Sequence, residues 1–127
     1  MNTAIVGLGS NIRPQENIRK ARELLAQKYQ ILAESRFVIT QAIGKPQAPD
    51  FLNGALLLET ESDCEDFKLQ MKALERELGR TSRQTGGEPR VIDLDLLVWN
   101  SQVMDEDVRQ RPFVQDSVRE LLPELPL

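Results

Sequence analysis

Two aspartates, Asp93 and Asp95, break an otherwise apolar run in the segment EPRVIDLDLLVWN, residues 88–100. Removing a carboxylate from water without a partner is costly, so something must compensate for this pair. On a strand, residues two apart share a face and lie about 6.5–7 Å from each other. The alternation predicts Asp93 and Asp95 on one face with Val91, Leu97 and Trp99. Ile92, Leu94, Leu96 and Val98 then form an opposite, apolar face that packs against helices. Neighbouring carboxylates repel unless cations or arginines intervene. Hard oxygen ligands on one face suit Mg²⁺, which takes few protein carboxylates and completes its shell with water and phosphate. The bland alternative is a solvated pair on an exposed sheet face.

Arginines surround this pair: Arg76, Arg80, Arg83 and Arg90 precede it, and Arg109 and Arg111 follow. Singly, each reads as a surface ion-pair residue. Gathered around a loop and two acids, their planar forks suit phosphate, and phosphate-bridged Mg²⁺ reconciles both signs of charge. GLGSN, residues 7–11, lacks the third glycine of a dinucleotide fingerprint, and no Walker pattern occurs. A bound nucleotide would therefore rely on metal and arginines.

Several classes drop out. With no histidine, Ser-His-Asp and Cys-His catalysis and histidine-bearing zinc sites are excluded. Cys64 stands among Glu61, Asp63, Glu65 and Asp66, poor surroundings for a nucleophilic thiolate. One cysteine cannot form an internal disulfide, which suits a reducing cytoplasm. A net charge of −4 argues against nucleic acid or an anionic membrane as partner. No apolar run approaches the roughly 20 residues of a membrane span, and the N-terminus lacks a signal peptide's basic segment and apolar core. The expectation is a soluble protein of the cytoplasm.

The elements that must position these residues follow from periodicity. TAIVGL, residues 3–8, reads as a buried strand ending in a turn at Gly9-Ser10-Asn11. Pro14 opens a helix carrying Ile18, Ala21, Leu24 and Leu25 on one side. Residues 29–40 and 51–60 read as strands, separated by a loop with Gly44, Pro46 and Pro49. Ser62 and Glu65 form a capping-box pattern before a helix with Phe67, Met71, Leu74 and Leu78 on its apolar stripe, stopped by Gly79. Residues 80–89 form a polar loop, residues 91–99 the fourth strand, and the tail holds a short helix before Pro123. The order βαββαβ predicts one domain, residues 1–127, of the α+β class: a ferredoxin-like sandwich with an antiparallel sheet, both main helices on one face, and a C-terminal helical extension.

PDFLNGALLLET, LERELGR and PRVIDLDLL, in this order, resemble the 6-hydroxymethyl-7,8-dihydropterin pyrophosphokinases of folate biosynthesis. AIVGLGSN resembles their beginning and RPF…ELLPEL their end, so the likeness covers nearly the whole chain. The resemblance implies a ferredoxin-like core and transfer of pyrophosphate from ATP to the pterin hydroxymethyl group, releasing AMP. By it, Asp93 and Asp95 bind two Mg²⁺ ions that bridge the ATP phosphates. Arg90 contacts those phosphates, Arg80 sits in a mobile loop, and Arg111 lies near the transferring groups; Arg80 and Arg90 count with the aspartates as catalytic. Glu75 and Leu96 fall at the nucleotide. Phe51 and Phe113 stack on the pterin, Asn53 bonds its edge, and Thr40 with the backbone of Ala42 and Ile43 reads its other polar atoms.

The residues agree in part: Phe51 and Asn53 share a strand face, and a flat heterocycle needs stacking plus an edge-reading amide. Plain core packing is the other reading of both phenylalanines. There are also departures. DEDVRQRPF lacks the histidine that the family usually carries before its last aromatic, Gly87 replaces a loop tryptophan, Ser82 replaces a loop arginine, and Gln41-Ala42 replaces a proline pair. A degenerate paralogue that binds a pterin, nucleotide or protein partner without catalysis is the alternative. A ferredoxin-like interaction module with solvent-facing aspartates is the third.

Overall fold

The computed structural model describes residues 1–41, 49–79 and 91–127. In chain order the elements are β1 (Asn2–Ser10), α1 (Pro14–Lys28), β2 (Gln30–Glu34), β3 (Val38–Thr40), β4 (Phe51–Thr60), α2 (Cys64–Glu77), β5 (Asp93–Trp99), β6 (Gln102–Val103), α3 (Asp107–Gln110) and α4 (Pro112–Leu121). All paired strands are antiparallel, in the order β2-β4-β1-β5-β6, with β3 also on β4. This is the α+β, ferredoxin-like arrangement expected from the element order.

β1 is the central strand. Its alternation sends Ala4, Val6 and Leu8 toward α1 and α2, where they meet Ile18, Ala21 and Leu25, Phe67, Met71 and Leu74, and Leu56 and Leu58 of β4. Ile5 points the other way into a second core with Ala55, Leu97, Val98, Val108, Val118 and Leu121. The tail is thus more than an extension, because α3 and α4 cover part of the second face. Burial of such aliphatic side chains, about 1.5–3 kcal/mol each, fixes both layers to one sheet.

Three local expectations are corrected. The segment 29–40 is not one strand but β2 and β3. Gly54 explains the break: a Cβ there would lie 2.5 Å from the Phe37 ring, so the bare backbone admits that ring. Ser35 fastens the break, its Oγ accepting from the Ala55 N–H at 2.8 Å. The N-cap of α2 is Asp63, whose carboxylate accepts from the Asp66 N–H at 2.8 Å, rather than Ser62 in a capping box with Glu65. Ser62 is used elsewhere, its Oγ accepting from Gln70 Nε2.

The third correction concerns β5. The pairing of β1 with β5 slips between Ile5 and Val6, so Leu97 is an extra residue on β5. A bulge of this kind reverses the alternation beyond it. Leu97 and Val98 therefore both enter the second core, while Trp99 turns to the α1–α2 side and packs on Phe67 with ring centroids 5.5 Å apart. The expected faces hold for Ile92 through Leu97 and are exchanged for Val98 and Trp99.

Candidate functional site

The second face of the sheet is only partly covered by α3 and α4, and the remainder forms a cavity of about 340 Å³. β1 supplies its floor. Gly7 pairs with Ala55 and Asp95, and Gly9 with Asn53 and Asp93, so each glycine lies between one β4 residue and one β5 residue. Neither glycine carries a side chain into the space.

On the β5 side, Asp93 is half-buried and Asp95 exposed, both lining the cavity. Their common face is the one expected from the alternation. Both take part in further polar contacts. The strand is held at this point by a buried group behind it. β6 reaches only Val98 and Trp99. Farther along, the Leu94 N–H donates to Glu75 Oε2 at 2.7 Å. Glu75, on α2, is 4% exposed. A charged acceptor strengthens such a bond, and it fixes the backbone between the two aspartates.

On the β4 side, Phe51 and Asn53 point into the cavity beside Thr40. Asn53 Nδ2 donates to Thr40 Oγ1 at 2.6 Å, across the β3–β4 pairing in which Thr40 faces Phe51 and Val38 faces Asn53. Phe113 and Arg111 come from the start of α4, where Pro112 occupies the first helical turn. Arg111 Nε donates to Asp107 Oδ1 at 3.0 Å, which keeps the guanidinium at the cavity wall. Asn11 ties the end of β1 to the approach of β4, its Nδ2 donating to the Pro49 carbonyl at 3.3 Å.

Seven residues singled out in the sequence thus share one cavity: Thr40, Phe51, Asn53, Asp93, Asp95, Arg111 and Phe113. Glu75 stands behind β5, and Leu96 packs toward the α1–α2 core rather than into the cavity. Ala42, Ile43, Arg80 and Arg90, with Ser82, Arg83 and Gly87, lie outside the described residues. The sequence reading missed Gly7 and Gly9, treating Gly9 as part of a turn although β1 runs on to Ser10. Their two-residue spacing, which places both on one strand face, was the available signal.

The donor set can be tested against a metal. Among the described residues no group of three or more acidic, histidine or cysteine side chains is arranged so that it could hold a metal ion by itself. Two carboxylates on one face beside an open cavity fit Mg²⁺ bound with water and phosphate, and not a closed all-protein cage. The arrangement is therefore an acidic side facing an aromatic and amide side across bare backbone.

A cavity so divided can take a charged group on its acidic side and a flat heterocycle on its aromatic side. The comparisons narrow the choice. A family model for 7,8-dihydro-6-hydroxymethylpterin-pyrophosphokinase matches residues 5–123. A 2-amino-4-hydroxy-6-hydroxymethyldihydropteridine pyrophosphokinase of Pseudomonas aeruginosa is 31% identical, covering 96% of this chain and 82% of the relative. The enzyme of that name from Haemophilus influenzae is 28% identical over 100% of this chain and 86% of its own length. One from Synechocystis is 31% identical, covering 95% and 67% respectively. The chain belongs to the 7,8-dihydro-6-hydroxymethylpterin-pyrophosphokinase family.

Proposed function

We propose that this cavity is where 6-hydroxymethyl-7,8-dihydropterin takes a pyrophosphoryl group from ATP, a step of folate biosynthesis, with AMP leaving. The observation that carries the reading is the opposition of Asp93 and Asp95 to Phe51, Asn53 and Phe113 across Gly7 and Gly9. Phe51 and Phe113 offer flat faces to the pterin, and Asn53 with Thr40 offers hydrogen bonds to its edge. The backbone of Ala42 and Ile43 completes that recognition.

Asp93 and Asp95 would hold two Mg²⁺ ions, which would supply positive charge to neutralise the phosphates. Arg80, Arg90 and Arg111 add positive charge around the transferring group, where preorganised charge supplies the main rate term in phosphoryl chemistry. Leu96 and Glu75 belong to the nucleotide side. The hydroxymethyl oxygen bonds the β-phosphorus, the bridging oxygen between the α- and β-phosphorus departs with AMP, and the alcohol proton passes to solvent. The working form in this reading is a monomer, with residues 1–127 as one domain, acting in the cytoplasm.

The test is chromatographic detection of AMP from ATP and 6-hydroxymethyl-7,8-dihydropterin, with and without Mg²⁺. The wild-type chain forms AMP only with Mg²⁺, and Asp95→Ala lowers the rate at least about 100-fold, the scale for loss of one charge-stabilising group. AMP at background level at saturating substrates, with pterin binding intact, leaves the non-catalytic paralogue as the correct reading.

A further inference from the structure

We propose that Gly9 is a specificity-determining position for the pterin side, because its missing side chain leaves the space in which the Asn53 amide takes its working orientation. The inference rests on the cavity's being the pterin site.

Three observations converge on it. Gly9 pairs with Asn53 on one side and Asp93 on the other, at the centre of the floor. A Cβ built at Gly9 lies 2.7 Å from Asn53 Oδ1, closer than real Cβ atoms come to oxygen, and 3.9 Å from Phe51 Cδ1. The amide is not at liberty to swing aside, because its Nδ2 donates to Thr40 Oγ1 at 2.6 Å. A methyl group at position 9 must therefore break the Thr40 bond or turn the amide plane.

The neighbouring glycine behaves differently. A Cβ at Gly7 meets the Leu97 side chain at 3.1 Å, and a leucine can give by a few tenths of an ångström. Among the described glycines, only at Gly9 does the added carbon strike a polar group that the recognition needs. Its cost falls on the direction of a donor–acceptor pair and not on the hydrophobic layers, which lie beyond Ala55 and on the opposite face. The effect is thus on which heterocycle edge is accepted.

The experiment is a double-mutant cycle of Gly9→Ala and Asn53→Ala, read by titration calorimetry with 6-hydroxymethylpterin and by thermal melting. Gly9→Ala weakens pterin binding about tenfold or more, the loss of roughly one directed hydrogen bond. In the Asn53→Ala background the same change has no further effect on binding, and the double variant melts no lower than Asn53→Ala alone. Gly9→Ala that binds pterin like the wild type overturns the inference while leaving the pterin site standing. A wild-type chain that binds no pterin overturns both. Should Gly9→Ala fail to fold, the double variant still decides: a melting temperature below that of Asn53→Ala means the clash is not with the amide, and the inference fails.

Discussion

Glu75 gives the sharpest test of how this fold holds its acids. Its carboxylate, 4% exposed, accepts from the Leu94 N–H at 2.7 Å, between Asp93 and Asp95. Truncation by Glu75→Ala leaves a buried N–H without that acceptor, worth about 1–3 kcal/mol, and opens a void where the four heavy atoms of the carboxyl-bearing arm beyond Cβ were packed. A total of about 2–4 kcal/mol corresponds to a drop of roughly 6–16 °C in melting temperature for a domain of this size. Glu75→Gln keeps an oxygen acceptor for the Leu94 N–H and at that bond loses the charge assistance, so there it costs about half as much or less. The assay is thermal melting by circular dichroism of the ligand-free protein, with AMP formation measured on the same samples. Both variants also lose turnover, Glu75→Ala more, because the backbone between the aspartates is no longer pinned. Had Glu75 served only to touch nucleotide, the ligand-free protein would melt at the wild-type temperature in both variants. A shift below about 2 °C for Glu75→Ala would refute the pinning argument.

Burial raises the pKa of the Tyr29 hydroxyl above its ordinary value. Because the raised value belongs to the folded state, that stability is intact below about pH 10 and is lost as pH climbs through the folded value; in Tyr29→Phe, denaturant midpoints measured from pH 9 to 11.5 show a shallower decline. Gly54→Ala drives a methyl group to 2.5 Å from the Phe37 ring, and overpacking of this kind costs about 1–3 kcal/mol, read as a lower urea midpoint with unchanged slope.

The arrangement of strands and helices was legible because each main element carries its own period: three- and four-residue apolar spacing in α1 and α2, and alternation in β1 and β4. The common face of Asp93 and Asp95 followed from the same rule. What escaped depends on partners distant in the chain. The extra residue at Leu97 exists only relative to β1, and nothing within LDLLVW marks it. The division of residues 29–40 depends on Gly54, some twenty positions on, admitting Phe37. Asp63 displaced Ser62 as cap because both are good acceptors one residue apart, and Ser62 found Gln70 instead. In the cavity, side chains announced themselves and their absence did not: Phe51, Asn53 and Phe113 were readable, whereas Gly7 and Gly9 became meaningful only with both neighbouring strands in place.

The bulge at Leu97 has an optical consequence. It turns Trp99, the sole tryptophan of the sequence, out of the aspartates' layer and against Phe67. The chain's one indole fluorophore therefore rides on the strand that bears both acids, yet is screened from anything in the cavity by the thickness of the sheet. A heterocycle bound in the cavity cannot quench it by contact, so its emission on adding ligand reports movement of β5 and energy transfer through the sheet, not collision.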